Sequence, residues 1–146
     1  MELLTRQFGG IQFQAAEVLV FETGLLYSPD DRQWLLVADS SHSSLFWLQC
    51  ISNCDVAIPI TPANRFVEEY RFELSAAEKQ RLAFKSDDKL AVFVPLSQRQ
   101  AEVVIDLHLP IIIDDQSGRG LQLRNERYQP LQRLMSEPSS PLRQSA

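Results

Sequence analysis

The segment from Asp106 to Tyr128 (D-L-H-L-P-I-I-I-D-D-Q-S-G-R-G-L-Q-L-R-N-E-R-Y) constrains the fold more than any other. Three consecutive β-branched residues, Ile111, Ile112 and Ile113, run into a turn made of Asp114, Asp115, Gln116, Ser117 and Gly118. A second strand, Leu121 to Leu123, comes next and closes on Asn125, Arg127 and Tyr128. Strand-forming residues on both sides of an Asp/Ser/Gly turn predict a hairpin. Pro110 suits the start of such a strand, where its missing N–H costs no ladder bond. The chain therefore reads as an all-β domain ending in a late hairpin.

The rest of the chain repeats that grammar. Leu3 to Gln7 and Ile11 to Gln14 flank Gly9-Gly10, a second hairpin signal, because glycine accepts positive φ. Short apolar runs recur at Val18 to Phe21, Trp34 to Ala38, Leu45 to Ile51 and Val56 to Thr61. Their spacing of roughly ten residues suits a sandwich or a barrel. One helix is expected over Ser75 to Ala83, because Ser75 and Glu78 form a capping box and neither Gly nor Pro interrupts Ala76 to Ala83. Leu90 to Leu96 reads as a strand that Pro95 confines to an edge or an end. Val103 to Leu107 is the next strand. Strand–helix–strand alternation does not recur, so no parallel sheet is expected. The expected class is mainly β: a small antiparallel β-barrel-like domain with one short helix, over residues 1–130. Residues 131–146 turn polar and proline-rich and read as a flexible tail.

At 146 residues and 45% hydrophobic, the chain can bury one core. Its apolar runs fall far short of the roughly 18 residues a membrane helix needs, and no basic n-region leads into an apolar stretch at the start. A cytoplasmic protein without a membrane span is expected. Cys50 and Cys54, with only two histidines in the chain, supply too few ligands for a zinc site, and read as ordinary thiols. Charge is divided unevenly. Residues 1–118 carry nine basic and seventeen acidic side chains, a net −8, whereas residues 119–146 carry five against two, a net +3. An acidic body repels phosphates and attracts basic protein surfaces.

Candidates for catalysis are sparse. No G-x-S-x-G elbow and no G-x-x-x-x-G-K-[ST] loop is present. In an alternating strand Asp106 and His108 would share a face, as a base with its orienter or as a solvated surface pair. Asp114 and Asp115 fit an Asx turn better than a cation site. Arg124 and Arg127 could hold an anion or form surface ion pairs. Of Phe46 and Trp47, one should face the core, leaving the other on a second core or exposed. No catalytic residue, cofactor or metal ligand is assigned.

Several short blocks, in order, resemble a known family. Thr5 to Ile11 with its Phe-Gly, Phe21-Glu22-Thr23-Gly24-Leu25, Phe46-Trp47-Leu48-Gln49, Ala57 to Thr61, and Tyr70-Arg71-Phe72-Glu73-Leu74 are similar to successive segments of the FliW flagellar assembly factors, the last two to a pair of successive strands. Leu107, Pro110 and Ile111 to Ile113 match the block around that family's Pro-Ile, and Arg127-Tyr128 its terminal Arg-Tyr. Asp106 and Asp114 stand where the family usually has asparagine. The resemblance implies a β-barrel-like protein without enzymatic activity that binds the translational regulator CsrA, relieving repression of flagellin mRNA translation, and also binds flagellin. It further implies a partner-binding role for Asp106, Asp114, Asn125, Arg127 and Tyr128. Two other readings stay open: a ligand-binding or catalytic barrel using its mouth, and an RNA-binding barrel, which the acidic body disfavours.

Overall fold

The computed structural model describes residues 1–82 and 90–134. An N-terminal hairpin comes first, with β1 (Glu2–Thr5) antiparallel to β2 (Gly9–Gln12). Its turn is closed by the Thr5 hydroxyl, which accepts the Phe8 N–H and donates to the Gly9 carbonyl, while Gly9 itself sits at φ +69°. Next come β3 (Leu19–Phe21), β4 (Gln33–Ala38), β5 (Phe46–Cys50) and β6 (Ala57–Pro62), each antiparallel to the one before from β4 onward. The helix α1 (Ala76–Leu82) precedes β7 (Leu90–Arg99), β8 (Glu102–Ile105), β9 (Ile111–Asp114), β10 (Arg119–Gln122) and β11 (Leu131–Leu134).

Seven of these strands close a barrel in the order β3-β4-β5-β6-β7-β9-β10. The closing pair is parallel: Arg119 and Gly120 of β10 lie beside Val20 and Phe21 of β3. This pair departs from the antiparallel barrel that local patterning led one to expect, since the two strands are far apart in sequence and no strand–helix–strand repeat announces them. Gly120 permits the closure. A Cβ there would come within 2.5 Å of the Phe21 ring and 3.1 Å of the Ile112 carbonyl oxygen.

Side chains fill the barrel. Phe21, Trp34, Leu48, Cys50, Ile60 and Ile111 are completely buried against one another, with Phe46 meeting Phe93 edge-on at 5.5 Å. The interior is thus a packed core of the kind small barrels build, and not a binding cavity. Outside the wall, Leu45, Val94, Leu96, Val103, Ile105 and Leu107 form a second cluster, and Trp47 and Phe8 pack at its margin, 5.7 Å apart. A third, around Leu82, Ile112 and Leu121, is covered by Phe72, Leu74, Leu90 and Leu123.

Three sequence expectations change. Pro95 lies inside β7, not at an edge or an end. β7 is ten residues long and exchanges partners along its length: Leu90–Phe93 pair with β9, and Leu96–Arg99 pair with β8. Pro95 stands at the exchange, where its absent N–H is missed least, and its carbonyl accepts the Asp106 N–H at 2.9 Å. Strand β8 stops at Ile105, so Asp106 and His108 belong to a turn and not to an alternating strand. Lastly, the segment expected to be a tail begins as structure: Leu131–Leu134 form β11, antiparallel to β8. The remainder of the expected tail, and Ala83 at the end of the expected helix, lie outside the described residues. The capping box is made as expected, with the Ser75 N–H donating to Glu78 and the Glu78 N–H donating to the Ser75 hydroxyl.

Candidate partner-binding face

Beyond Gln122 the chain continues alongside the turn that precedes β9. The Leu123 N–H donates to the Pro110 carbonyl at 3.0 Å, and the Asn125 N–H to the His108 carbonyl at 2.8 Å. This fixes Asn125 and Tyr128 over a strap, Tyr70 to Ser75, that crosses the barrel wall without helix, turn or ladder. The FliW-like pattern suggested a strand at Tyr70 to Leu74; these residues are extended but unpaired. Their exposure alternates, with Tyr70, Phe72 and Leu74 half-buried and Arg71 and Glu73 exposed, as period-two backbone requires.

Polar side chains pin the strap. The Asn125 Nδ2 donates to the Arg71 carbonyl at 2.8 Å, and the Arg71 N–H donates to the Tyr128 hydroxyl at 2.8 Å. The Tyr70 and Tyr128 rings stack at 4.4 Å and 20°. The Tyr70 hydroxyl donates to the Leu107 carbonyl. Burial pushes the Tyr70 phenol up to about 12; the amide of Asn125 pulls it down, and Tyr128 adds to the rise. Tyr70 is therefore neutral, and a hydrogen-bond donor, at any physiological pH. Neither Tyr70 nor Arg71 stood out in the sequence as a polar anchor, because what makes them so is a pairing across more than fifty residues.

Of the five residues that the resemblance singled out, three meet here. Asn125 and Tyr128 are half-buried and committed to the strap, and Arg127 is exposed, its N–H held by the Asn125 Oδ1 at 3.2 Å. The other two are buried. Asp106 is 5% exposed and accepts from the Tyr27 hydroxyl at 3.3 Å. Asp114 is 3% exposed and closes an Asx turn, its Oδ1 accepting the Gln116 N–H and its carbonyl the Gly118 N–H, each at 3.0 Å. Burial at this level removes both carboxylates from direct contact with a partner. His108 Nδ1 lies buried with no hydrogen-bond partner among the described residues.

Elsewhere, polar chemistry also serves the fold. Asp39 accepts from the Trp47 indole, the His42 ring and the N–H groups of Ser41 and His42, at 3.0 to 3.1 Å. Burial works to raise its pKa, but these bonds outweigh it and hold the carboxyl below its usual value. They also account for Trp47, whose ring packs on the second cluster while its N–H is satisfied. Cys50 is buried and Cys54 half-buried, both as free thiols. Among the described residues no three His, Cys, Asp or Glu side chains gather as a metal would need, and no helix is long and apolar enough to cross a membrane.

Together these features define a closed seven-stranded β-barrel domain whose polar side chains are spent on pinning a surface strap. The family model described as FliW protein matches residues 2–134, and the chain belongs to that family. It is 32% identical over 133 residues to the flagellar assembly factor FliW of Caldanaerobacter subterraneus, covering 88% of this chain and 89% of that one. The corresponding protein of Magnetococcus marinus is 29% identical over 140 residues, covering 94% and 86%. A crystal structure of the flagellar assembly factor FliW shares the fold, with a TM-score of 0.79 over 96% of this chain and 100% of that one, at 15% identity.

Proposed function

We propose that this protein is a non-enzymatic, cytoplasmic flagellar assembly factor. It binds the translational regulator CsrA, relieving repression of flagellin mRNA translation, and binds flagellin, so that synthesis is coupled to assembly. Membership of the FliW family across residues 2–134 carries this reading. The charge division supports it, because a regulator that grips RNA must present basic surface, and residues 1–118 carry a net −8.

The proposed partner surface is centred on Asn125, Arg127 and Tyr128. Arg127 would touch the partner directly, while Asn125 and Tyr128 hold the strap beside it. Asp106 and Asp114 contribute by fixing the two turns that frame β9. Purified protein mixed with CsrA and with flagellin, then resolved by size-exclusion chromatography and read with a flagellin-leader translation reporter, tests the proposal. Co-elution with both, and a reporter derepressed by added protein, is expected. Failure to bind either one, or a reporter unmoved at saturating protein, overturns it.

A further inference from the structure

The strap and the start of β7 flank one groove, and the strap leaves backbone groups open beside it. The strap is anchored at each end, at Arg71 through both its N–H and its carbonyl, and at Ser75 through both of its own. Between those anchors Phe72, Glu73 and Leu74 make no backbone hydrogen bond among the described residues. In extended backbone the N–H and C=O of one residue point to the same side, and those of its neighbours to the other. Arg71 points toward Asn125 and Tyr128, so Phe72 and Leu74 present theirs to the opposite side.

On that side lies a groove of about 550 Å³ lined by the strap together with Lys79, Leu90 and Val92. Among the described residues, Leu90 to Val92 are paired on one flank only. They meet Asp114 to Ile112 of β9, whereas β6 reaches no further along β7 than Phe93. Exposed, pre-organised edges of this kind template an added strand.

We propose that this groove is a strand-addition site that takes an extended segment of a partner protein, with apolar residues alternating with acidic ones. Phe72, Leu74, Leu90 and Val92 give the segment an apolar floor. Among the described residues that line it, Arg71 and Lys79 are set against the carboxylate of Glu73, on a protein of net negative charge. Arg71 is held only loosely by Glu69, at 3.9 Å with both side chains mostly exposed. Acidic side chains on the outward positions of the incoming strand therefore meet the two cations, and apolar ones turn inward. The site adjoins the Arg127 surface across the strap, whose Phe72 and Glu73 border both, and does not depend on which regulator that surface binds.

The test is selection of a random short-peptide display library on the full chain, and then amide hydrogen exchange with the recovered peptides. Recovered sequences should alternate apolar and acidic residues, and their binding should slow exchange at Phe72 and Leu74. Reversing both cations (R71E with K79E, both outside the core) should weaken those peptides by roughly tenfold or more, the size of lost charge-assisted bonds. Recovery of no binder, of binders lacking the acidic alternation, or of binders that protect amides elsewhere overturns the proposal. So does undiminished binding by the reversed variant.

Discussion

The barrel interior and the strap face hold together by opposite means. Inside, side chains such as Trp34, Phe21 and Ile111 are wholly buried and specify the structure by volume. On the strap face, a few polar groups from Asn125, Tyr128 and Tyr70 fix an extended segment whose neighbouring peptide groups stay open. A packed interior tolerates almost no change in shape. A pinned surface segment can lose one pin and remain folded, which is the property a docking face requires.

That contrast orders the consequences of mutation. Trp34→Ala should cost about 3–5 kcal/mol, since it empties the largest fully buried position in the barrel and leaves the Asp31 carbonyl without its indole partner. Denaturant unfolding would measure it, and a loss below about 1 kcal/mol would mean that the interior is not the close-packed core described. Gly120→Ala should cost about 1–3 kcal/mol, because the new methyl drives against Phe21 at the parallel seam. A neutral result there would show that the β3–β10 closure is slack.

Tyr128→Phe removes the acceptor for the Arg71 N–H but keeps the stacked ring, and should cost about 1 kcal/mol. Faster amide exchange should be confined to the strap while the barrel amides stay protected. Spread of the effect into β4 or β5 would erase the distinction between the two regions.

Smaller still are the effects of pH. The Tyr70 pKa is raised on folding, so its contribution is complete below the unfolded value near 10 and is lost as pH climbs through about 12. Strap exchange should therefore quicken above pH 10, and Tyr70→Phe should remove that dependence. Asp39 runs the other way. Its depressed pKa stabilises the fold above the unfolded value of 3.8 and ceases to do so as pH falls through the folded one. Asp39→Asn should thus lower the melting temperature near neutrality and leave it unchanged in strong acid.

Local chemistry was legible in the sequence where neighbours in the chain are neighbours in space. The Gly9 and Gly118 hairpins, the Ser75–Glu78 capping box and the Asp114 Asx turn all arise from residues within a few positions of each other. The second core under Trp47 was one of two alternatives that the pattern left open, and Asp39 is what decides between them. Illegible were the features made by distant pairings: the parallel seam, the change of partner at Pro95, and the clasp of Tyr70 by Asn125 and Tyr128. Asp106 was misplaced for the same reason. Its partner Tyr27 lies seventy-nine residues away, and its alternating pattern with His108 looked like a strand.

Whether this barrel docks a protein partner is decided by titrating CsrA into the purified protein in a calorimeter at two salt concentrations. Saturable binding is expected, weakening as the Debye length shortens from about 10 Å at 0.1 M toward about 3 Å at 1 M. Absence of binding at low salt, from protein whose circular dichroism and melting transition show it folded, would contradict it.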